Sequence, residues 1–400
     1  MNRESFEPSS LKITDLRTAV VASNFDYPLI KIDTNQGVYG IGEVRDAGHK
    51  ESALMYKGLL LGQNPMDIDK LLRMMKPYAG HGREGGGISG IDMALWDLVG
   101  NVYGVPAFQL LGGRYRDKVR IYADTPELKE PTPEGFAEAV LERKRMGFTF
   151  IKFDLSIGVL RNRIPGALIG NKITDKGIAY IASCVEAVRE AVGWDISLAI
   201  DHFGPLSVDD CIRLGRALEK FSLSWLEDMR PWTDVEGNRE ITKSIAAPTA
   251  TGEDIFGLTG FREIVDRRAV DIIHPDLATA GGLRETKRIA DYAEEMGFMP
   301  TALHFAGSPI SFMANLHTAA AIHDFVALEH HALDIPWWKD LVRGLTEPLV
   351  ADGYVAVPEK PGLGVDLNPE VIRDHLRYPG YFEPTPEWDV PKFGFYRPKA

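Results

Sequence analysis

Six acidic or histidine residues recur at nearly even intervals down the second half of this 400-residue chain. Each closes a short apolar run. Asp201 ends Ser197-Leu-Ala-Ile-Asp and Glu227 ends Ser224-Trp-Leu-Glu. Glu253 ends Ala250-Thr-Gly-Glu and Asp276 ends Asp271-Ile-Ile-His-Pro-Asp. His304 ends Pro300-Thr-Ala-Leu-His and Glu329 ends Phe325-Val-Ala-Leu-Glu. The gaps are 26, 26, 23, 28 and 25 residues. That is the length of one strand, one helix and two short loops. In a (β/α) barrel the strands' C-terminal ends gather at one mouth, so the spacing predicts that all six side chains meet there.

The predicted fold is α/β: a modified TIM barrel, (β/α)7β, with an α+β N-terminal capping domain. Residues 11–23 and 28–34 read as strands, and a third, punctuated by Gly37, Gly40 and Gly42, ends at Glu43. Helical patterns follow around 50–62, 66–77 and 87–103, the last with Ile91, Ala94, Leu95 and Leu98 on one apolar face. Barrel periodicity begins near Val119. The expected domains are 1–122 (cap, with a substrate-specificity lid), 123–345 (barrel) and 346–400 (a segment returning to the cap). A helix is expected over 133–146, a strand over 149–154, and an irregular loop over 156–175, long enough to suggest a role at the mouth. Ser207 with Asp210 reads as an acidic variant of the capping box, and Gly281-Gly282 opens the helix after strand six.

Composition narrows the partners. A formal net charge of −12 argues against a nucleic-acid surface, so an anionic substrate has to be held by local cations. Cys184 and Cys211 both fall on apolar helix faces and are expected in the core, with no disulfide framework or zinc spacing. No apolar run reaches membrane-spanning length and the N-terminus lacks a signal-peptide pattern; the expectation is a cytoplasmic protein without membrane partners.

Strand alternation lets Asp201, Glu227 and Glu253 turn inward from adjacent strands. Three carboxylates suit a hard divalent cation such as Mg²⁺, with positions left for substrate oxygens. His304 and Asp276, from strands seven and six, make a candidate general base with its orienting carboxylate. Glu329 can donate a hydrogen bond when protonated or accept one. Lys152, on strand two, can bind a carboxylate or act as a base. Arg161 and Arg163, in the loop after strand two, are candidates to grip a distal substrate group. His331, two residues beyond Glu329, is a candidate pocket residue. His274 is expected inward, one layer below Asp276, as a core residue.

Together these residues resemble the enolase superfamily, in particular its mandelate racemase branch. The resemblance rests on Gly90-Ile-Asp-Met-Ala-Leu-Trp-Asp, Leu110-Leu-Gly-Gly-Arg, Trp225-Leu-Glu-Asp, Gly252-Glu, Pro275-Asp with Gly281-Gly282, Leu303-His and Pro361-Gly-Leu-Gly. It implies one Mg²⁺ per subunit on Asp201, Glu227 and Glu253. It implies a His304–Asp276 dyad as base and acid, Glu329 as hydrogen-bond donor to an enolate, and Lys152 as the carboxylate binder of a Lys-x-Lys motif. The cap loop Ala22-Ser-Asn-Phe-Asp-Tyr-Pro matches the lid, with Tyr27 as a substrate-contact candidate. A homo-oligomer, often an octamer, is also implied.

The second lysine of that motif is Asp154 here, which leaves one usual base. The resemblance therefore implies an acid-sugar (aldonate or aldarate) dehydratase: α-proton abstraction, an ene-diolate, and loss of water to a 2-keto-3-deoxy acid. Such superfamily chemistry, a Lys or His base with Mg²⁺, is general. An ion pair of Asp154 with Lys152 is expected. The alternatives are a racemase, epimerase or cycloisomerase on a related hydroxy acid, with Asp154 or a loop residue as the other base, or a non-catalytic sugar-acid sensor. Phe203 stands where some dehydratases have a histidine, and His202 is expected to point away from the interior.

Overall fold

The computed structural model describes residues 6–80, 82–201 and 206–391. Eight parallel strands close into a barrel: Lys118–Ala123, Phe150–Asp154, Ser197–Asp201, Trp225–Glu227, Thr249–Thr251, Ile272–Ile273, Thr301–Leu303 and Phe325–His330. Closure is parallel, with Leu328 opposite Ile121 and Glu329 opposite Tyr122. Helices lie between successive strands and, among the described residues, no barrel helix follows the eighth, so the (β/α)7β expectation holds.

One residue per strand fills the barrel interior: Tyr122, Phe150, Ala199, Trp225, Ala250, Ile272, Ala302 and Ala327. Three bulky rings share this layer with four alanines and Ile272, a mix of large and small side chains that suits a closed barrel interior. Side chains alternate along a strand, so a residue two places on joins the next inward layer. That rule places Asp124, Lys152, Asp201, Glu227, His274, His304 and Glu329 in one layer above this plug. Glu253 lies three places beyond Ala250. It reaches the same layer because Gly252, at φ 146°, breaks the alternation.

The cap is an antiparallel sheet of Ile13–Ala22, Asp26–Thr34 and Tyr39–Glu43 with the helix Gly86–Tyr103 against it. One apolar face was expected for that helix, yet residues 86–100 are buried on every side. The reason is that it is sandwiched between sheet and barrel. Its polar side chains serve the barrel: Ser89 Oγ accepts from Gly281 N (3.0 Å) and Asp92 Oδ2 from Leu283 N (2.6 Å). Asp97 accepts from Ile41 N and from Leu363 N, which ties the C-terminal segment in. That segment also bonds the cap edge through Ala22 N to His375 O and Arg377 N to Val20 O.

Gly282 sits at φ 87°, and a Cβ there would lie 2.0 Å from Asp92 Oδ2. Gly282→Ala is expected to cost more than the roughly 1–3 kcal/mol of a strained backbone alone. Urea melts against Gly62→Ala, at φ 76° with nothing within 4 Å, isolate the clash. Equal losses would remove this account of the cap–barrel joint.

Two local expectations change. The 156–175 segment contains a helix, Ile157–Arg163, and a small hairpin of Leu168–Ile169 with Lys172–Ile173. Burial of Ile157 and Leu160 under the mouth orders it despite Gly158. Ser207 caps its helix by accepting from Asp210 N, but Asp210 accepts from Ile173 N of the neighbouring connection instead of closing the box. Both cysteines are buried and free. Among the described residues no helix is long and apolar enough to cross a membrane.

Candidate active site and metal centre

Asp201, Glu227 and Glu253 are buried, and each offers a ligand oxygen within 4.8 Å of the others. Lys152 Nζ sits 3.0 Å from Asp201 Oδ2, 3.5 Å from Glu227 Oε1 and 3.0 Å from Glu329 Oε1. Burial opposes charge on Lys152, but these three carboxylates hold it protonated well above its usual range. Glu227 is pushed well up by burial and then by the Asp201 charge. Three buried carboxylates that repel one another beside a single amine are a donor set suited to a hard divalent cation.

His304 Nδ1 lies 2.7 Å from Asp276 Oδ2. Its Nε2 points the other way, 3.0 Å from Glu253 Oε2 and 3.8 Å from Glu329 Oε2. Asp276 also caps a helical turn, accepting from Thr279 N at Oδ1 (3.1 Å). Burial drives the His304 pKa well below its usual value against the pull of Glu253. Burial raises Glu253, but a proton on His304 and the Arg45 charge pull it down. A neutral imidazole with one nitrogen fixed and the other aimed at the cleft can take and return a proton. Such clustering of perturbed groups in a cleft marks a functional site.

Glu329 is fully buried. Its Oε2 accepts from Tyr122 Oη (2.9 Å) and Phe305 N (3.2 Å). His274 is inward as expected, 2.7 Å from Tyr122 Oη and 2.8 Å from Glu227 Oε1. Burial pushes it down to about 4, so it stays neutral.

The cleft has two parts. An inner cavity of about 100 Å³ is walled by Lys152, Asp201, Glu253 and His304 with Arg45 and Arg83 of the cap. An outer one of about 770 Å³ opens beyond it, and Phe25, Asp124, Asp154 and His331 line both. His331 Nε2 is 3.0 Å from Asp124 Oδ2, and its Nδ1 is 3.1 Å from Asn24 Nδ2. Burial disfavours its charge, but Asp124 wins and raises His331 to about 9. A raised pKa stabilises the fold fully below the unfolded value near 6.5 and is lost as pH climbs through about 9. Urea midpoints of the wild type and His331→Gln are therefore expected to converge across that window. Parallel midpoints would show that the pair adds nothing.

Several expected residues sit elsewhere. Lys152 pairs with Asp201 and Glu329 rather than with Asp154, because Asp154 is one layer further out. Tyr27 is fully buried beneath the lid and donates to Asn24 Oδ1 (2.6 Å); it holds Asn24 instead of facing the cleft. Arg161 bonds Asn171 of its own loop, whereas Arg163 lines the outer cavity. His202 and Phe203 lie outside the described residues. Arg45, Arg83 and Tyr122 were not anticipated. The cap has no barrel period to mark its residues, and Tyr122 reads as one more apolar strand position.

Comparison with known proteins agrees with this geometry. Residues 135–371 match the family described as enolase C-terminal domain-like, and 10–112 match the mandelate racemase/muconate lactonizing enzyme N-terminal domain. The chain is 38% identical over 374 residues to a D-xylonate dehydratase of Haloferax volcanii, covering 91% of this chain and 89% of that protein. It is 28% identical over 391 residues to a D-mannonate dehydratase of Caulobacter vibrioides, covering 91% and 95%. A crystal structure of a mandelate racemase/muconate lactonizing enzyme-like protein from Rubrobacter xylanophilus superposes with a TM-score of 0.86 at 32% identity, over 93% of this chain and 99% of that one. With both domain models matched in order and the metal-type triad and dyad on the expected strands, the chain belongs to the enolase superfamily, in its mandelate racemase/muconate lactonizing enzyme group.

Proposed function

We propose that the protein is a Mg²⁺-dependent acid-sugar dehydratase, a hydro-lyase acting on an aldonate. The observation that carries this is the single cleft in which His304 Nε2 faces the buried Asp201–Glu227–Glu253 cluster while Asp276 holds Nδ1. The dehydratase names of the relatives support it.

Asp201, Glu227 and Glu253 would hold the Mg²⁺, which supplies a Lewis acid for the substrate carboxylate as its α-carbon becomes negative. Lys152 adds a fixed positive charge at the same end of the cleft. His304 Nε2 takes the α-proton, and Asp276 stabilises the imidazolium that results. The same Nε2–H is then delivered to the β-hydroxyl. The C–O bond breaks, water leaves, and the enol tautomerises to a 2-keto-3-deoxy acid. Glu329, beneath the reacting carbon's carboxylate end, completes the polar floor with Tyr122.

The outer cavity decides between aldonate and aldarate. Its walls carry Asp124, Glu127, Asp154 and Asp334 against Arg163 and His331, with Arg143 paired to Asp334 from behind, so acids outnumber bases by one. A second substrate carboxylate would meet excess negative charge there, whereas hydroxyl groups would find acceptors. The test is a screen of mono- and di-acids for 2-keto acid formation with Mg²⁺. Turnover of mono-acids is expected. Turnover of di-acids alone would overturn the aldonate reading, and none at all would overturn the reaction.

A further inference from the structure

Among the described residues, the cap side chain in contact with both members of the dyad is Arg45. Arg45 follows the last cap strand and is 1% exposed. Its Nη1 touches Asp276 Oδ2 and lies 3.0 Å from His304 Nδ1. Its Nε is 3.0 Å from Asp46 Oδ1, and its Nη2 is 3.5 Å from Glu253 Oε1. The guanidinium thus lies among three carboxylates as ion-pair partners, with Nε left without a hydrogen-bond acceptor. Two residues earlier, Glu43 accepts from Ser308 N at 3.0 Å, which pins the loop after His304 to the same stretch of cap.

We propose that Arg45 is a positioning residue of the dyad: its guanidinium fixes the Asp276 carboxylate so that Oδ2 accepts the Nδ1–H of His304 and Nε2 is the nitrogen that takes and returns the proton. A carboxylate oxygen can only accept, so the 2.7 Å contact of Asp276 Oδ2 places the ring proton on Nδ1, and the nearby Arg45 Nη1–H turns to the same carboxylate. Arg45 Nη1 and His304 Nδ1 converge on one acceptor, Asp276 Oδ2, while Thr279 N–H holds Oδ1. With both oxygens fixed, rotation about the carboxylate bond is blocked and one imidazole tautomer is selected. Lysine would restore the charge but not the planar fork that reaches Asp276, Asp46 and Glu253 together.

The proposal rests on the dyad reading above, but its first readout does not need a substrate. In the Mg²⁺-loaded protein with ¹⁵N-labelled histidine, assigned through His304→Asn, the His304 ring is expected as a single tautomer protonated at Nδ1 at neutral pH. In Arg45→Gln its two ring-nitrogen signals should move toward a tautomer mixture, with Arg45→Lys between the two. If Arg45→Gln does not fold, Arg45→Lys is read by the same spectrum. The second readout uses whichever acid sugar the wild type dehydrates. There kcat and α-proton exchange should fall together by about 10–100-fold while KM changes little. Unmoved His304 signals in a folded variant would overturn the proposal. So would a loss confined to KM, which makes Arg45 a substrate binder, or one confined to the Mg²⁺ concentration dependence. A wild type inactive on every acid sugar would overturn the reaction while the spectra still judge Arg45.

Discussion

His304→Asn is expected to stop dehydration and to stop exchange of the substrate α-proton with solvent, each by about 10²–10⁴-fold. Asparagine keeps a donor for Asp276 Oδ2, now served by Nδ1 at 2.7 Å. It has no basic nitrogen to replace Nε2, so geometry survives while the base is lost. Deuterium incorporation at the α-carbon in heavy water, followed by NMR on both epimers of an accepted acid, is the measurement. Asp154→Asn should slow turnover without adding or removing an exchange route. Asp154 lines both cavities, which makes it a candidate for a base on the opposite face. Exchange of one epimer that survives His304→Asn and disappears with Asp154→Asn would replace the dehydratase by an epimerase.

Glu227→Gln should have an effect of the same order on turnover and an opposite sign on the metal-free fold. Losing one ligand charge removes several kcal/mol of charge stabilisation at the reacting carboxylate, or roughly 10²–10³-fold in rate. Without metal, however, burial and the neighbouring Asp201 make an ionised Glu227 costly. The amide relieves that repulsion, and Oε1 can still accept from Trp225 Nε1, now 2.9 Å from Oε2. Thermal melts with chelator should therefore show the variant at least as stable as the wild type. With Mg²⁺ only the wild type should gain, by ligand linkage. An equal Mg²⁺-induced gain in both proteins, or full activity of the variant in chelator, would sink the metal assignment.

The barrel and its inward ring were legible because two periods coincide. The strand–helix repeat sets where each strand ends, and strand alternation sets which side chains face in. Asp201, Glu227, Asp276, His304 and Glu329 follow from those rules alone. Glu253 needs the kink at Gly252 as well. What stayed hidden lies outside both periods. Arg45 and Glu43 belong to a cap whose docking onto the barrel no local pattern encodes. Tyr27 looked like a lid residue because of its place in the sequence, yet it belongs to the strand Asp26–Thr34 and its ring is buried. The helix Ile157–Arg163 escaped because Gly158 and Pro165 read as loop residues, while the burial that orders Ile157 and Leu160 is tertiary.

The outer cavity is not spread evenly round the mouth. Its barrel residues follow strands eight, one and two: His331 to Ile335, Asp124 to Phe136, and Asp154 to Arg163. Those three strands are neighbours. The metal-type carboxylates and the dyad occupy the remaining arc, strands three to seven, where cap residues bind the amides of Gly281, Leu283 and Ser308. Loops whose amides are committed in this way have little freedom to change length or path. Loops on the other arc carry no such commitments to the helix Gly86–Tyr103 among the described residues. Substrate preference can thus diverge, or be redesigned, on one third of the rim while the proton-transfer machinery on the rest stays untouched.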